Sequence, residues 1–463
     1  MSKHYDDVVI GAGAGGLSAA LSLHRQGVKV AMLEKDKIGG ECTHSGCVPS
    51  KAFLHAAHTF HAVQSLSSLG LSEVRPVSDF RFGDVMTHVN EVIQSIYEHE
   101  KPDVFEAMGL DTIVHPSGAK FIDNRTVEIG GEQITADHFV ICTGSKPRMI
   151  DIVGHNRLDF LNNENFWDIR EQPPAIVFLG GGVISAEIGQ ALARLGCEVT
   201  IIDRNSRILG AVDEEVARLA TSLLQSEGIK IITDSEITEC EQFEPDKIKI
   251  SMNQNGRKVE LNAGKIFVAL GRQPNVYGLD LEKAGVKYDP VHGIQANEYL
   301  QTTADNIYVC GDVTTPMKFT HVADYQAIIC VDNIMQGNHR KNDLSLVPWS
   351  IFVEPEISHV GLNEAQAREK LGDDVQVSRV DASGVDRFVT DRHTAGFIKV
   401  IFDGEDRILG ADAIGERSGE WIQLITLAMQ NEMRAQDFVN TIFAYPSYSA
   451  IVRQALIRHL RSK

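Results

Sequence analysis

One pattern occurs twice in this chain: an apolar strand, a glycine-rich turn, a helix, and a second strand that leads to an acidic residue. In the first copy a strand at 6–10 precedes GAGAGG at 11–16, a helix over 17–26 and a strand over 28–33 before Glu34. In the second copy a strand at 175–179 precedes GGGVIS at 180–185, a helix that ends before Gly196, and a strand over 198–202 before Asp203. Each acid lies 23 residues after the first glycine. This is the fingerprint of a βαβ unit that binds a dinucleotide.

The glycines of the first copy each have a physical task. Gly11 allows a tight turn, Gly13 lets backbone N–H groups approach a pyrophosphate, and Gly16 lets the helix pack closely on the strand, while Glu34 can bind a ribose. In the second copy Ser185 takes the third position, where a small residue still permits close packing. Two such sites predict two different dinucleotides, because a hydride carrier needs a second redox centre with which to exchange electrons.

A cysteine-containing block, GGECTHSGCVPSK at 39–51, follows the first fingerprint. It places Cys42 and Cys47 five residues apart where a glycine-rich segment enters a helix, and Pro49 suits a first helical turn. A helix N-terminus stabilises a thiolate, so the pair fits a disulfide that opens and closes readily. The spacing alone fits equally two unrelated free cysteines or two zinc ligands without their partners.

Composition narrows the possible partners. The chain has 463 residues, a formal charge of −19 and a calculated pI near 5.3, which argues against a nucleic acid or an anionic membrane surface. We find no targeting signal before the first strand and no apolar run of membrane-spanning length. Five cysteines are scattered singly, which favours a reducing cytoplasm: Cys142, Cys197, Cys240, Cys310 and Cys330.

Three further segments read as strands that end in a glycine turn, at 139–145, 266–272 and 306–312. From about residue 347 the pattern changes to an α+β module, with a strand at 397–402, a helical run at 420–431 and an amphipathic helix at 451–460. We therefore predict an α/β chain of compact domains joined by short linkers.

Together these landmarks resemble the flavin-dependent pyridine nucleotide–disulfide oxidoreductases, which include dihydrolipoamide dehydrogenase, glutathione reductase and mercuric reductase. The resemblance covers nearly the full length and rests on the cysteine block, both fingerprints, TGS at 143–145, GRQPN at 271–275 and CGD at 310–312, in the family's order. The cysteine block and FTHVADYQ at 319–326 look most like the mercuric-reductase-like branch.

The resemblance implies a glutathione reductase-like fold with two Rossmann-like domains and a C-terminal dimerisation domain. The implied domains are an FAD-binding domain at 1–150, an NAD(P)-binding domain at 151–276, a central domain at 277–346 and an interface domain at 347–463. Electrons would pass from the nicotinamide to the flavin, then to a Cys42–Cys47 disulfide, then to an acceptor. The protein would be a cytoplasmic homodimer.

Roles for individual residues follow from the same resemblance. Cys47 would be the charge-transfer thiol beside the flavin and Cys42 the interchange thiol, with Lys51 near the flavin N5 and paired with Glu187. Glu34 and Asp312 would bind the ADP half and the ribityl or pyrophosphate part of FAD. The implied catalytic residues are Cys42, Cys47, Lys51, Glu187 and Tyr445. The implied cofactor-binding residues are Gly11, Gly13, Ala14, Gly15, Gly16, Glu34, Lys35, Gly40, Glu41, Cys42, Gly46, Cys47, Lys51, Gly118, Ala119, Thr143, Gly144, Ser145, Gly180, Gly182, Val183, Ile184, Glu187, Asp203, Arg204, Gly271, Arg272, Gly311, Asp312, Phe319, Thr320, His321 and Ala323.

The sequence departs from the disulfide-reducing members near its end. Those members carry a histidine before a proline and a glutamate five residues after that histidine, which together serve the interchange thiol as general acid and base. Here Tyr445 precedes Pro446, and Ala450 stands in the glutamate's place. A phenol with an ordinary pKa near ~10 transfers protons poorly at neutral pH, so slow disulfide exchange is expected. Mercuric reductases also have a tyrosine there, but they add a C-terminal cysteine pair, and this sequence has no cysteine after Cys330.

The nicotinamide cofactor could be NADH or NADPH. Asp203 favours NADH, because its carboxylate can bind the ribose hydroxyls and repels a 2′-phosphate, whereas Arg204 and Arg207 could pair with that phosphate. We favour NADH.

The histidines near the cysteines raise a metal hypothesis, in which His44 joins Cys42 and Cys47 as ligands of a soft ion. Three more histidines recur every third residue on the following helix: His55, His58 and His61. Hydrogen bonding of His44 to backbone or cofactor is the stronger interpretation, and helix positions three apart rotate away from one face, so no resident metal is predicted.

The function that we predict is an FAD-dependent NAD(P)H oxidoreductase that reduces a small acceptor: a metal ion, a quinone-like oxidant or a disulfide. The alternatives are a redox sensor or metal-binding protein that does not turn over, and a disulfide reductase of the dihydrolipoamide dehydrogenase type.

Overall fold

A computed structural model describes residues 3–71, 80–149, 153, 158–244 and 247–462. The strands are β1 Lys3–Ile10, β2 Val30–Glu34, β3 Asp111–Val114, β4 Lys120–Asp123, β5 Thr126–Ile129, β6 Glu132–Ile141, β7 Ser145–Pro147, β8 Ala175–Leu179, β9 Glu198–Ile202, β10 Lys230–Ile232, β11 Ser235–Glu244, β12 Lys247–Gln254, β13 Arg257–Ala263, β14 Lys265–Val268, β15 Arg272–Pro274, β16 Tyr288–Asp289, β17 Gly293–Ile294, β18 Ile307–Val309, β19 Trp349–Ile351, β20 Ile357–Gly361, β21 Gln376–Asp381, β22 Phe397–Phe402 and β23 Ile408–Ile414. The helices are α1 Ala14–Arg25, α2 Gly40–His44, α3 Cys47–Gln64, α4 Phe82–Tyr97, α5 Pro102–Ala107, α6 Val183–Arg194, α7 Glu214–Ser226, α8 Thr320–Gln336, α9 Glu364–Leu371, α10 Asp386–Thr390, α11 Ser418–Trp421, α12 Gln423–Gln430, α13 Ala435–Val439 and α14 Ala450–Arg461.

The first fingerprint lies in a sheet of order β3-β2-β1-β6-β5-β4, and β18 pairs with the last three residues of β6, beyond the part that pairs with β5. Strands β3, β2, β1, β6 and β18 run parallel, and Val8, Val9 and Ile10 are buried, as expected for central strands covered on both faces. The carboxyl ends of β1, β6 and β18 therefore meet at one edge, where Gly11, Cys142 and Cys310 follow them. This edge is where ligands of open α/β sheets bind.

The second fingerprint lies in a parallel sheet of order β10-β9-β8-β14, next to an antiparallel β11-β12-β13 sheet. Strands β8 and β9 match the predicted ranges to the residue. In the first copy the predictions were one to three residues off, because α1 starts at Ala14 and β2 starts at Val30 and ends at Glu34.

Two connections position the nucleotide units. The short ladder of β7 with β15 pairs Pro147 with Arg272 and Ser145 with Pro274 where the chain leaves and re-enters the first unit. After β15 the chain returns to the first sheet, where β18 adds to β6 and α8 packs against α1. The segment predicted as a central domain therefore completes the first sheet, although its boundaries stay predictions.

The last unit is an antiparallel sheet of order β19-β20-β23-β22-β21 covered by α12 and α14, as the α+β pattern predicts. The single helical run predicted over 420–431 is wrong in detail, because the structure divides it into α11 and α12. The amide of Ile425 donates to the carbonyl of Ile422 three residues back, a tighter turn than an α-helix has. Within the described residues, no helix has both the length and the apolarity that crossing a membrane demands.

Candidate active site

The turn after β1 is shaped for an anion. Gly11 has a φ of +99°, and a side chain there would meet the carbonyl oxygen of Cys142 at 2.5 Å. A side chain at Gly16 would lie 1.8 Å from the carbonyl oxygen of Gly11, so only glycine lets α1 approach the strand. Helix α1 starts at Ala14 after Gly13, with no side chain capping it and no acid in its first turn. Its first N–H groups are therefore free to bind a pyrophosphate, as the predicted FAD requires.

Glu34 holds the loop around this turn in place through hydrogen bonds to backbone amides. Its Oε2 accepts a hydrogen bond from the amide of Ala12 at 2.7 Å, and its Oε1 accepts from the amides of Lys35 and Asp36. Gly118 lies beside Lys35, since a side chain at Gly118 would meet the Lys35 Cβ at 3.5 Å. These residues form one rim of the turn, as expected of a ribose-binding edge, whereas Ala119 is buried in the core of the first unit.

The second fingerprint repeats this arrangement. Gly180 has a φ of +100°, and Asp203 Oδ2 accepts from the amide of Gly181 at 2.6 Å while its Oδ1 accepts from Asn205. Helix α6 has no capping side chain and no acid in its first turn. The surface at Gly182 and Val183 is exposed, and Ile184 is half-buried, so the start of α6 is open to a second dinucleotide.

The two arginines after Asp203 differ. Arg207 donates to the carbonyl oxygens of Leu209, Gly210 and Val212, which fixes its guanidinium to the loop. Arg204 is exposed. Arg207 would have to give up these bonds to contact a 2′-phosphate, whereas Arg204 would not.

The cysteine block packs against the first glycine turn. A side chain at Gly40 would come within 2.8 Å of the Gly13 Cα, so the two glycines allow the backbones to approach. Cys42 lies within the short helix α2 and is half-buried, whereas Cys47 is exposed and is the first residue of α3, after Gly46. Both are free thiols in the structure.

The surroundings of the two thiols make them unequal. Hydrogen bonding from Cys42, assisted by the Thr320 hydroxyl at 3.4 Å and the charge of Lys51, lowers the pKa of Cys47 to about 6 against the effect of burial. The same hydrogen bond, together with burial, raises the pKa of Cys42. These opposite shifts favour the thiolate on Cys47 and the proton on Cys42 in the reduced pair.

The implied pairing of Lys51 with Glu187 is present. Lys51 Nζ donates to Glu187 Oε2 at 2.9 Å and lies 4.4 Å from the centre of the Phe352 ring. Glu187 is buried, and its Oε1 accepts from the amide of Phe352 at 2.8 Å. This ion pair joins α3, α6 and the interface unit, so the cysteine helix is tied to the second nucleotide unit.

A second polar network lies at the other side of α2. Glu41 forms an ion pair with Arg272 through both carboxylate oxygens, and Asn163 donates to it at 2.7 Å. Arg272 Nε also donates to the Ser145 hydroxyl at 2.7 Å, which in turn donates to Asp312 at 2.6 Å. Burial raises the pKa of Glu41 although Arg272 opposes it. The network brings together four residues of the implied cofactor-binding set: Glu41, Ser145, Arg272 and Asp312.

The remaining predicted residues line the same region. Gly144 and Gly271 have φ values of +66° and +97° in the turns beside β7 and β15, and Thr143 donates to the carbonyl of Asn275. Gly311 follows β18, and a side chain there would meet the Ala323 Cβ at 3.2 Å.

Two aromatic groups stand at the start of α8, next to Thr320. The rings of Phe319 and His321 stack with their centres 5.3 Å apart, and His321 Nε2 is bonded to the carbonyl of Pro348 at 2.8 Å. Thr320 was predicted only as a cofactor contact, and its contact with Cys47 adds a role that the sequence did not indicate.

The histidines do not gather around the cysteines. His44 Nε2 is bonded to the carbonyl of Ile38 at 2.8 Å, and its ring meets the Tyr97 ring edge-on. His58 faces Glu354 at 3.5 Å, while His55 is exposed and His61 is half-buried. In the part of the chain that the structure describes, we find no group of three or more metal-ligating side chains suited to hold an ion.

Tyr445 lies away from this centre in an exposed segment. Its hydroxyl donates to Asp386 at 2.7 Å, which raises the pKa of the phenol. Its side chain is 79% exposed, and that of Ile442 in the same segment is 97% exposed. A role at the cysteines would therefore need a second subunit.

Sequence reasoning missed one group altogether. Cys142, Cys310 and Cys330, taken as scattered, form a buried thiol cluster behind the first glycine turn. No local signal indicates it, because the three residues come from three distant segments.

Comparison with known proteins agrees with this geometry. Residues 5–327 match the family model "Pyridine nucleotide-disulphide oxidoreductase", and residues 347–456 match that family's dimerisation domain. The chain is 34% identical to a mercuric reductase of Staphylococcus aureus, over 95% of this chain and 80% of that protein. It is 33% identical to a dihydrolipoyl dehydrogenase of Thermus scotoductus, over 98% and 97%. The copper(II) complex of the HOCl-induced flavoprotein disulfide reductase RclA from Escherichia coli superposes with a TM-score of 0.87 at 27% identity, over 99% of each chain.

Proposed function

Because the chain belongs to the pyridine nucleotide-disulphide oxidoreductase family, we propose that it carries electrons from NAD(P)H to a metal ion through FAD and the Cys42–Cys47 pair. The protein is an FAD-dependent oxidoreductase that uses a nicotinamide dinucleotide. What we propose beyond this is that the acceptor is a metal ion. Copper(II) is the first ion to test, and mercury(II) is the second. A homodimer in the cytoplasm is part of the proposal and is supported by the dimerisation domain and the scattered sequence positions of the cysteines.

Bound FAD supplies the two-electron exchange between nicotinamide and thiols. Around it, the uncapped start of α1 would bind the pyrophosphate, and Glu34 and Asp312 would bind the sugar and ribityl hydroxyls. Glu187 holds the Lys51 ammonium at the start of the cysteine helix, which favours a thiolate at Cys47. The Thr320 hydroxyl is hydrogen-bonded to the same sulfur.

The observation that carries the metal-ion proposal is the pairing of two thiols with no acid–base histidine in the segment that the family uses for it. A disulfide acceptor releases a thiolate that needs a proton, and the Tyr445 phenol holds its proton tightly through Asp386. A metal ion bound by two sulfurs takes up electrons without that proton. The names of two relatives support the idea, since one is a mercuric reductase and another was solved as a copper(II) complex.

The choice of NADH is supported by Asp203, whose carboxylate would repel a 2′-phosphate, and by Arg207, whose donors are already bonded to three carbonyls. Arg204, which is exposed, argues instead for NADPH.

The test is an anaerobic screen that follows NADH absorbance with copper(II), mercury(II), a quinone, glutathione disulfide and lipoamide as acceptors. A chelator specific for copper(I) would detect the product, and Cys42→Ser is the matched control. We expect metal-dependent turnover that Cys42→Ser abolishes. Equal metal reduction by Cys42→Ser, or turnover of either disulfide at rates ordinary for such reductases, would contradict the proposal. Flavin reduction without turnover of any acceptor would favour a sensor.

A further inference from the structure

The buried thiol cluster is assembled by strand pairing. Val309 lies opposite Ile141 in the parallel pairing of β18 with β6, and the amide of Cys310 donates to the carbonyl of Ile141 at 3.1 Å. Cys142 and Cys310 therefore leave neighbouring strands side by side. Cys330 reaches them from the buried face of α8.

The sulfur atoms of this cluster touch. Cys142 Sγ and Cys310 Sγ are 3.3 Å apart, and Cys330 is hydrogen-bonded to Cys310 and donates to the carbonyl of Val309 at 3.6 Å. Cys142 keeps 8% of its surface exposed, whereas Cys310 and Cys330 keep 0%. A side chain at Gly15 would meet Cys310 Sγ at 3.1 Å, which places the cluster directly behind the first turn of α1.

We propose that Cys142 and Cys310 are a second, reversible redox pair, which a small hydroperoxide such as hydrogen peroxide closes to a disulfide. Neighbouring strands lie about 4.8 Å apart, within the Cα separation of roughly 4.4–6.8 Å that disulfides tolerate. The sulfurs must approach by a little over ~1 Å to reach a bond of about 2.05 Å, which side-chain rotation can supply. The remaining cysteines outside the Cys42–Cys47 pair, Cys197 and Cys240, lie in other clusters of the core.

The chemistry balances within the cluster. The Cys310 thiol loses its proton, the resulting thiolate attacks one peroxide oxygen, and the O–O bond breaks; the departing hydroxide takes up the proton that Cys310 released and leaves as water. The Cys142 sulfur then attacks the resulting sulfenic acid, the S–O bond breaks, and the hydroxide leaves with the proton of Cys142 as a second water. Two thiols are oxidised and one peroxide is reduced by two electrons. Hydrogen bonds from Cys142 and Cys330 support the first step, because they lower the pKa of Cys310 against the effect of burial.

The bond would join two strand ends that both serve the first nucleotide site. Cys142 directly precedes Thr143-Gly144-Ser145, and Cys310 directly precedes Gly311-Asp312. The oxidised form therefore fixes the distance between the two turns that the family resemblance assigns to FAD. This modification does not depend on which acceptor the enzyme reduces.

Thiol counting on the FAD-loaded protein tests the proposal. In a Cys42→Ser, Cys47→Ser background, five of the seven cysteines remain. After hydrogen peroxide treatment, denaturation and alkylation, we expect the count of free thiols to fall from five to three. A non-reducing digest should contain a peptide pair joined through Cys142 and Cys310, and dithiothreitol added before denaturation should return the count to five.

Matched variants separate the pair from its neighbours. Cys142→Ala should abolish the linked peptide, while Cys240→Ala, which removes a buried cysteine elsewhere, should retain it. The digest of the unsubstituted protein gives the same answer without any risk of misfolding. A count that stays at five, a link through Cys330, oxygen addition to Cys310 without a link, or a link that dithiothreitol cannot reopen would each overturn the proposal.

Discussion

The Cys42–Cys47 pair and the buried thiol cluster contain the same functional group in opposite settings. The first comes from a single block of sequence, is partly open to solvent and faces a lysine and a threonine hydroxyl. The second comes from three distant segments, is enclosed by the core and has sulfur and backbone carbonyls as its neighbours. We therefore expect access and nearby charge to decide which thiols exchange electrons with a substrate.

The two groups also differ in what sets the pKa of their thiols. The hydrogen bond from Cys42, helped by Thr320 and the charge of Lys51, lowers the pKa of Cys47 to about 6, which favours a thiolate at neutral pH. In the cluster, burial raises the pKa of Cys142 and Cys330, whereas hydrogen bonds from these two thiols lower the pKa of Cys310. The open pair is suited to turnover, and the cluster is suited to a slower response to oxidants.

The largest expected effect separates the two groups by substitution. Cys42→Ser removes the thiol that we propose reacts with the acceptor, so we expect acceptor turnover to fall by at least about 10³-fold. Cys330→Ala alters only the buried cluster, and we expect kcat to stay within about threefold. Steady-state assays with matched flavin content check both variants. Equal losses of turnover in the two would contradict the proposed difference between the Cys42–Cys47 pair and the buried cluster.

The next effect concerns the proton that a disulfide substrate needs. Glutathione disulfide and lipoamide should be poor acceptors, because general acid–base assistance of typically ~10²–10⁴-fold is missing. Tyr445→His combined with Ala450→Glu should raise their turnover by about 10²-fold, whereas Tyr448→Phe should leave it low. Rapid turnover by the unsubstituted enzyme would refute this reasoning, and no gain in the double variant would point to substrate binding as the obstacle.

A smaller effect is expected at the second fingerprint. We expect kcat/KM to be about tenfold higher with NADH than with NADPH, because Asp203 repels a 2′-phosphate. Asp203→Ser should narrow the ratio, while Arg204→Gln should not reduce the preference for NADH. A higher kcat/KM with NADPH in the unsubstituted enzyme would contradict the assignment.

The smallest effect is a shift in pH dependence. The thiolate of Cys47 forms as the pH rises through its pKa, so the thiolate-to-flavin absorbance of the two-electron-reduced enzyme should grow with a midpoint at about 6. Lys51→Met removes a neighbouring positive charge and should move the midpoint upward by roughly one pH unit. An unchanged or lower midpoint would mean that Lys51 does not stabilise the thiolate.

The contrast between a local block of sequence and a cluster from distant segments also explains how much of the fold and the site could be predicted from the sequence. The fingerprints and the cysteine block are local patterns, so their strands, their helices and the place of Cys47 at a helix start followed from sequence. The Lys51–Glu187 pair was implied by resemblance, and the 2.9 Å contact confirms it. The buried thiol cluster depends on the pairing of β6 with β18 and on the packing of α8, which no short pattern encodes. Thr320 was likewise expected at the cofactor, and only the fold brings its hydroxyl to Cys47.

The central claim is that Cys47, rather than any other thiol, is the sulfur that exchanges electrons with the flavin. Anaerobic titration with NADH, followed by the long-wavelength absorbance of a thiolate-to-flavin complex, tests it most directly. The account predicts that the band appears on two-electron reduction of the unsubstituted protein, that it is already present in oxidised Cys42→Ser before NADH is added, and that it is absent from Cys47→Ser. A band of undiminished intensity in Cys47→Ser would contradict it.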